Sequence, residues 1–590
     1  MKNLTKLAAL LVTATVLHAT SLTGKEIKVP SIDDLSLREQ VGQTIMPRIN
    51  IGEQKQWKQL VLNGEVTGFF IKTKEGLVTH PVITAENQKR YIAKQRKQLL
   101  KTIRDLNKWA AKSPHGIPLL LAFDYEGGTV TSPMYMGLKQ MPSNMLLAAS
   151  GDEKVVADMY DAQAKEILLS GANTALGPVT DVNSNPLNPI IQTRSFGDNA
   201  AQVGKFSAAA VRALEGNKVP AFVKHFPGHG DTATDSHRVQ PVTDMEPQKL
   251  WETHISAFQP AVDAGVSGVL SAHVVYPQVD AENSAMFSTK IMRDILRGKM
   301  GFKGVVATDG LDMGAVKDVP LEEIIRRSYN GGNDILLLSG APNDTAKALT
   351  YPKRAADYVE VMSRVVKPEI NVGEVRLSAE KVLNLKKQLG LFGKRAIEKN
   401  TGFDAASRQA AQRGVTLVRD TQKLIPLTDK EQRVCTVFFA DGIFSLQLKS
   451  FVDTLTKGGK TVDAVFAGRT PTEEDGDAAR ACMAGADVTI LGTSRTSAMD
   501  PDQLKLVSEL LATGKKQNRP VALVSLLNPY EITLYPQAKT VVALYGPTKD
   551  AADVAAEIFL GLRQAQGKLP IALPVNTEVT FAEKGDVSGV

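Results

Sequence analysis

Between residues 66 and 340 the chain repeats one pattern seven times: a short apolar run followed by a longer stretch of helical character. The runs are VTGFFIK (66–72), PLLLAFD (118–124), TALGPVTDV (174–182), PAFVKHF (220–226), GVLSAHV (268–274), GVVATDG (304–310) and DILLLSG (334–340). Runs of Val, Leu and Ala without polar alternation are strands buried on both faces, as parallel strands covered by helices must be. Seven or eight such strands over roughly 350 residues fit a TIM-type (β/α)8 barrel. Asp124, Asp181, His225, His273 and Asp309 stand at the C-terminal ends of their runs. That rim is where such a barrel builds an active site. Helix capping is the competing role for Asp124 and, more strongly, for Asp181.

A chain of 590 residues is too long for one core. From residue 405 the pattern changes: AASRQAAQRG leads into VTLVRD, then VCTVFFA, TVDAVFA, DVTILG, PVALVSL and TVVALY follow, separated by helical stretches. The expected organisation is a barrel over 32–395, a crossover within 391–404, and an open αβα sandwich over 405–580. Residues 1–21 read as a signal peptide, with Lys2 and Lys6 before an apolar core, Leu7–Leu17, too short to span a bilayer. A periplasmic or secreted protein without stable membrane insertion is expected.

The net charge of +7 comes with no Lys/Arg run of the kind a nucleic-acid footprint needs, so no such partner is expected. The two cysteines, Cys435 and Cys482, cannot make a disulfide framework. They are expected to fill core space as small hydrophobes.

The stretch KHFPGHGDTATDSH (224–237) concentrates the reactive side chains. His225 and His229 have zinc-site HxxxH spacing, but Pro227 and Gly228 break the helix that spacing needs, and no Glu follows His225. GHGDTA (228–233) matches a dinucleotide GxGxxA, yet Asp231 would oppose a pyrophosphate. GGKT (458–461) has Thr454 where a P-loop has its first glycine. Neither metal nor organic cofactor is expected. DSH is no serine triad, since neighbouring side chains diverge and the chain has no GxSxG. Positions i and i+2 of an extended loop do point the same way. Asp235 can therefore orient His237 as a proton-transfer dyad, with Asp309 on the rim as the separate nucleophile.

With PVTDVNSNPLNPIIQTRSFG (178–197) before it and ATDGLDMGAV (307–316) after it, this stretch closely resembles family 3 glycoside hydrolases, in the NagZ-type β-N-acetylglucosaminidase branch. RGVTLVRDTQKLIPL (413–427) and GKLPIALP (567–574) resemble that family's sandwich domain. The resemblance implies a retaining double displacement with Asp309 as nucleophile and His237, held by Asp235, as acid/base. It implies that Asp124, Arg194, Lys224 and His225 bind the sugar, and that no catalytic residue lies beyond about residue 400. Glu126 and His273 would stand behind these groups, His229 would shape the loop, and Asp312 would be a structural hydrogen-bonder.

One departure stands out. The family's DQEGGRVQR is here DYEGGTVTS (124–132), with Thr129 and Ser132 in place of arginines, which leaves Arg194 to carry more of the cationic recognition alone. The expected activity is exo-removal of terminal GlcNAc from peptidoglycan fragments or chitooligosaccharides. The alternatives are a β-glucosidase or β-xylosidase, a phosphorylase using phosphate in place of water, and an inactive carbohydrate-binding wall protein.

Overall fold

The computed structural model describes residues 29–73, 88–338, 372–494 and 501–574, apart from 131, 312, 317, 394, 396, 398 and 430. The expected signal peptide, Asp312 and the last two residues of DILLLSG lie outside the described residues.

The first strand, β1 (Ile45–Asn50), is not among the seven runs, because Pro47, Arg48 and Asn50 interrupt its apolar character. The others follow those runs: β2 (Gly68–Lys72), β3 (Leu120–Phe123), β4 (Thr174–Ala175), β5 (Phe222–Phe226), β6 (Gly268–Ser271), β9 (Val305–Thr308) and β10 (Leu336–Leu338). An antiparallel hairpin, β7 (Val275–Tyr276) and β8 (Asp280–Ser284), is inserted between β6 and β9.

Parallel ladders join β10-β1-β2-β3-β4 and, separately, β5-β6-β9. Isolated parallel bridges, Ala175 to Ala221 and Val179 to Lys224 on one side and Ala307 to Ile335 on the other, span the two gaps, so the ring of eight closes through bridges rather than full ladders. Around it lies the α-helical layer, including Gln88–Ala110, Glu153–Leu169 and Ala200–Gly216. This is the TIM-type arrangement that the buried apolar runs require.

The inside of the ring holds its own apolar cluster, with Met46, Phe70, Ala122, Phe222 and Ala307 among its members. Side chains alternate along a strand, so the residue two places on faces the same interior at the C-terminal mouth. Those next positions are Arg48, Lys72, Asp124, Lys224 and Asp309. Strand periodicity alone thus delivers five charged side chains to one opening.

The second part begins with the helix Phe403–Gly414 and β11 (Thr416–Asp420). It continues with β12 (Arg433–Phe439), β13 (Thr461–Ala467), β14 (Val488–Thr493), β15 (Val521–Ser525) and β16 (Thr540–Ala543). The strand order is β11-β16-β15-β14-β12-β13, parallel except for β11 against β16. The cysteines do not simply fill space. Cys435 on β12 and Cys482 on the helix Glu473–Ala484 form a disulfide with Cα atoms 5.6 Å apart. The expectation failed because pairing depends on three-dimensional approach, and nothing in a separation of 47 residues reveals that β12 and this helix pack together.

The two parts meet beside the barrel mouth. Tyr530 Oη donates to Asn183 O at 3.3 Å, Ala572 N to Asp198 Oδ2 at 2.6 Å, and Gln202 Nε2 to Pro570 O at 3.1 Å.

Candidate active site

Three groups of side chains line the mouth. The first is a chain of ion pairs. Asp124 follows β3 and accepts Lys224 Nζ on Oδ1 at 2.7 Å and Lys72 Nζ on Oδ2 at 2.9 Å. Lys224 also reaches Glu126 Oε1 at 2.5 Å, and Glu126 accepts the fork of Arg194, Nε at 2.6 Å and Nη2 at 3.1 Å. Burial alone would raise the Asp124 pKa, but Lys224 first and Lys72 second outweigh it and hold the carboxyl well below its ordinary value. Glu126 is likewise held ionised against burial by Arg194 and Lys224. Lys72 thus places a second ammonium on Asp124 beside that of Lys224. The arginine spends its fork on Glu126, and its Nη1 on Ile190 O at 3.2 Å.

The second group surrounds Asp309. The β5–β6 ladder slips by one residue between Lys224 and Phe226, a bulge of the kind that re-aims side chains beside active sites. His225 is the residue at that slip. Its Nδ1 lies 2.7 Å from Asp181 Oδ2, and its Nε2 lies 4.0 Å from Asp309 Oδ2. Asp181 also accepts the backbone N–H groups of His225 at 3.1 Å and His229 at 2.7 Å, so it organises the loop after β5 instead of capping a helix. Asp309 itself accepts Gly310 N–H on Oδ1 at 2.7 Å. Burial again opposes ionisation, and His225, His273 and the Gly310 N–H overcome it, leaving the carboxyl below its ordinary value. His273 stands behind it, its Nε2 2.9 Å from Gly310 O.

The third group is the loop 227–238. Gly230 lies against the backbone of Val182, where a Cβ would sit 1.8 Å from the carbonyl oxygen, so only glycine fits. His229 is buried between Thr232 Oγ1 at 3.0 Å and Ser236 Oγ at 3.1 Å, and burial first, then the neighbouring His225, pushes its pKa down to about 4. It shapes the bend as a neutral ring. Asp235 Oδ1 holds both the backbone N–H of His237 at 2.9 Å and its Nδ1 at 2.8 Å, which leaves Nε2 as the free face of a half-exposed imidazole. The loop is tied to the segment after Asp309: Gly314 N donates to His237 O at 3.2 Å, and Ala315 N to Ser236 O at 3.1 Å.

The structure thus links Asp124, Lys224 and Arg194 in one network and His225 with Asp309 in another, and pairs Asp235 with His237. Two participants were not singled out from the sequence. Lys72 ends its run just as Asp124 and Lys224 do, and the same end-of-strand position would have found it. His254, from the helical turn Trp251–Ile255, packs its ring against Gly228 with Nε2 3.4 Å from Ser184 Oγ; it carried no signal, because a lone histidine in a helix does not announce its neighbours.

An ionised carboxylate on a barrel rim, a histidine dyad on a loop joined to it, and a hydrogen-bonding network across the mouth suit an enzyme that cleaves glycosidic bonds. Residues 36–385 match the glycosyl hydrolase family 3 N terminal domain, and the chain belongs to that family. It is 28% identical over 529 residues to beta-hexosaminidase A of Pseudoalteromonas piscicida, covering 81% of this chain and 87% of that protein. It is 25% identical over 496 residues to a beta-N-acetylglucosaminidase/beta-glucosidase of Cellulomonas fimi, covering 77% and 83%. The structure of a family 3 beta-N-acetylglucosaminidase from Paenibacillus superposes with a TM-score of 0.77 at 26% identity, covering 92% of this chain and all of that one.

Proposed function

We propose that this protein is an exported β-N-acetylhexosaminidase that removes terminal non-reducing GlcNAc from peptidoglycan fragments or chitooligosaccharides with retention of configuration. The single observation that best supports the mechanism is that the segment following Asp309 is tied to the dyad loop by backbone hydrogen bonds at Gly314 and Ala315. Asp309, ionised, attacks the anomeric carbon. His237 gives its proton to the leaving oxygen and takes one back from water in the second step, while Asp235 steadies the ring. A proton carrier without negative charge leaves the nucleophile free of a second carboxylate, which would raise its pKa. Asp124, Lys224, Arg194 and His225 hold the sugar.

The names of the relatives support the N-acetylhexosaminide specificity. The Cys435–Cys482 disulfide supports an oxidising compartment, and so agrees with export. The test is release of nitrophenol from the β-N-acetylglucosaminide beside the β-glucoside, with and without phosphate. Preference for the N-acetyl substrate, with free GlcNAc as product, is expected; preference for the glucoside, or GlcNAc-1-phosphate as product, overturns the reading.

A further inference from the structure

Lys72 occupies a place in the mouth that the proposed mechanism does not use. Its Nζ lies 2.9 Å from Asp124 Oδ2 and 4.5 Å from the centre of the Phe70 ring. The other ammonium on Asp124 is nearly sealed: the Lys224 side chain is 3% exposed, against 24% for Lys72 and 21% for Asp124. Lys224 already gives two hydrogen bonds, to Asp124 and Glu126, which leaves it one N–H for the sugar. An ammonium has three protons, and among the described residues the only carboxylate Lys72 meets is Asp124. An ionised carboxylate has about four acceptor positions, and two hydrogen bonds from the lysines leave Asp124 able to accept more. An acceptor and a donor therefore sit side by side at the cleft, one hydrogen bond apart.

The order of strands says which part of a sugar they face. Around the ring β10-β1-β2-β3-β4-β5-β6-β9, β3 is diametrically opposite β9, and β2 is its neighbour. With the anomeric carbon at Asp309, which follows β9, the ring edge that reaches β2 and β3 is the one farthest from the bond being cut. That edge carries adjacent hydroxyls spaced at hydrogen-bond distance, matching a paired acceptor and donor. We propose that Lys72 is a specificity-determining residue that donates to a hydroxyl of this far edge, at C3, C4 or C6 of the terminal sugar, while Asp124 accepts from its neighbour. Where the family's arginines are replaced by Thr129 and Ser132, the lysine at the end of β2 supplies the second cationic donor. The inference rests on the proposed orientation of the sugar with its anomeric carbon at Asp309.

The experiment compares wild type, Lys72→Met and Lys72→Arg on nitrophenyl β-N-acetylglucosaminide, its 3-, 4- and 6-deoxy analogues, and the C4 epimer. Losing one charge-assisted hydrogen bond should raise KM by about 10- to 100-fold with little change in kcat. One deoxy analogue should be poor for wild type yet no worse than the parent sugar for Lys72→Met, and Lys72→Arg should restore much of the loss. If Lys72→Met weakens every analogue by the same factor, or leaves KM unchanged, Lys72 only neutralises Asp124 and the proposal is overturned. Wild type preferring the glucoside would instead count against the N-acetyl reading, and running the glucoside in parallel separates the two failures.

Discussion

At Asp181 a fully buried carboxylate collects the Nδ1 of His225 and two backbone N–H groups, and so fixes the course of the loop after β5. His225 first, and the bonds from His229 after it, keep Asp181 ionised against burial, with its pKa below 3.8. A depressed carboxyl contributes stability above its unfolded value and loses it as pH falls further. Asp181→Asn keeps the size but removes the charge that meets the His225 Nδ1 and two backbone N–H groups, and should cost about 1–3 kcal/mol at neutral pH. Denaturant titration should show this gap narrowing below pH 3.8. His229 acts over a different range. The unfolded imidazole takes a proton near 6.5 and the buried one only near 4, so stability falls as pH drops between those values. The loss is roughly 3 kcal/mol, from the shift between 6.5 and 4, and His229→Gln should flatten the slope there. For the chemistry, Asp309→Ala should abolish turnover. His237→Ala should hurt a poor leaving group far more than nitrophenol, which needs little protonation. At this scale the sequence was legible where a charged residue closes an apolar run. Asp181 closes one too, but its partners lie 44 and 48 residues on, and no spacing rule pairs them.

Two glycines decide how the dyad loop meets the barrel. Gly230 admits no side chain against Val182, and at Gly314 a Cβ would fall 2.5 Å from the backbone of Arg238 and 2.6 Å from His237 O. Gly314→Ala must push the dyad loop away from the Asp309 segment. A displacement near 1 Å in a catalytic group can cost about 100-fold in rate. We expect kcat to fall by that order with KM nearly unchanged, measured beside a melting curve that shows the fold intact. Equal kcat in the variant would mean the loop does not need this contact. Strands were readable from apolar runs, except β1, where Pro47, Arg48 and Asn50 hide the strand. The hairpin β7–β8 was also invisible: DAENS has no strand-like alternation, and its only ladder is with the two residues of β7.

Across the whole molecule, the barrel and the second sheet share hydrogen bonds close to the mouth, through Tyr530, Asp198 and Pro570. The disulfide joins β12 to the helix Glu473–Ala484, neither of which carries any of these contacts. Closing a loop of 47 residues constrains the unfolded chain by about 4 kcal/mol on chain-entropy grounds. Replacing both cysteines by alanine should lower the unfolding temperature while leaving kcat at 25 °C within about twofold, since distant sites contribute independently. Architecture was readable in the repeating runs because burial on both faces leaves a compositional mark; the approach of two cysteines leaves none. The proposed attack of Asp309 on the sugar can be tested by trapping. The enzyme would be incubated with a 5-fluoro N-acetylglucosaminyl fluoride, which slows release of the glycosyl-enzyme, and digested for mass spectrometry. One added sugar is expected, on the peptide carrying Asp309; a label on another carboxylate, or no label with product of inverted configuration, would contradict Asp309 as nucleophile.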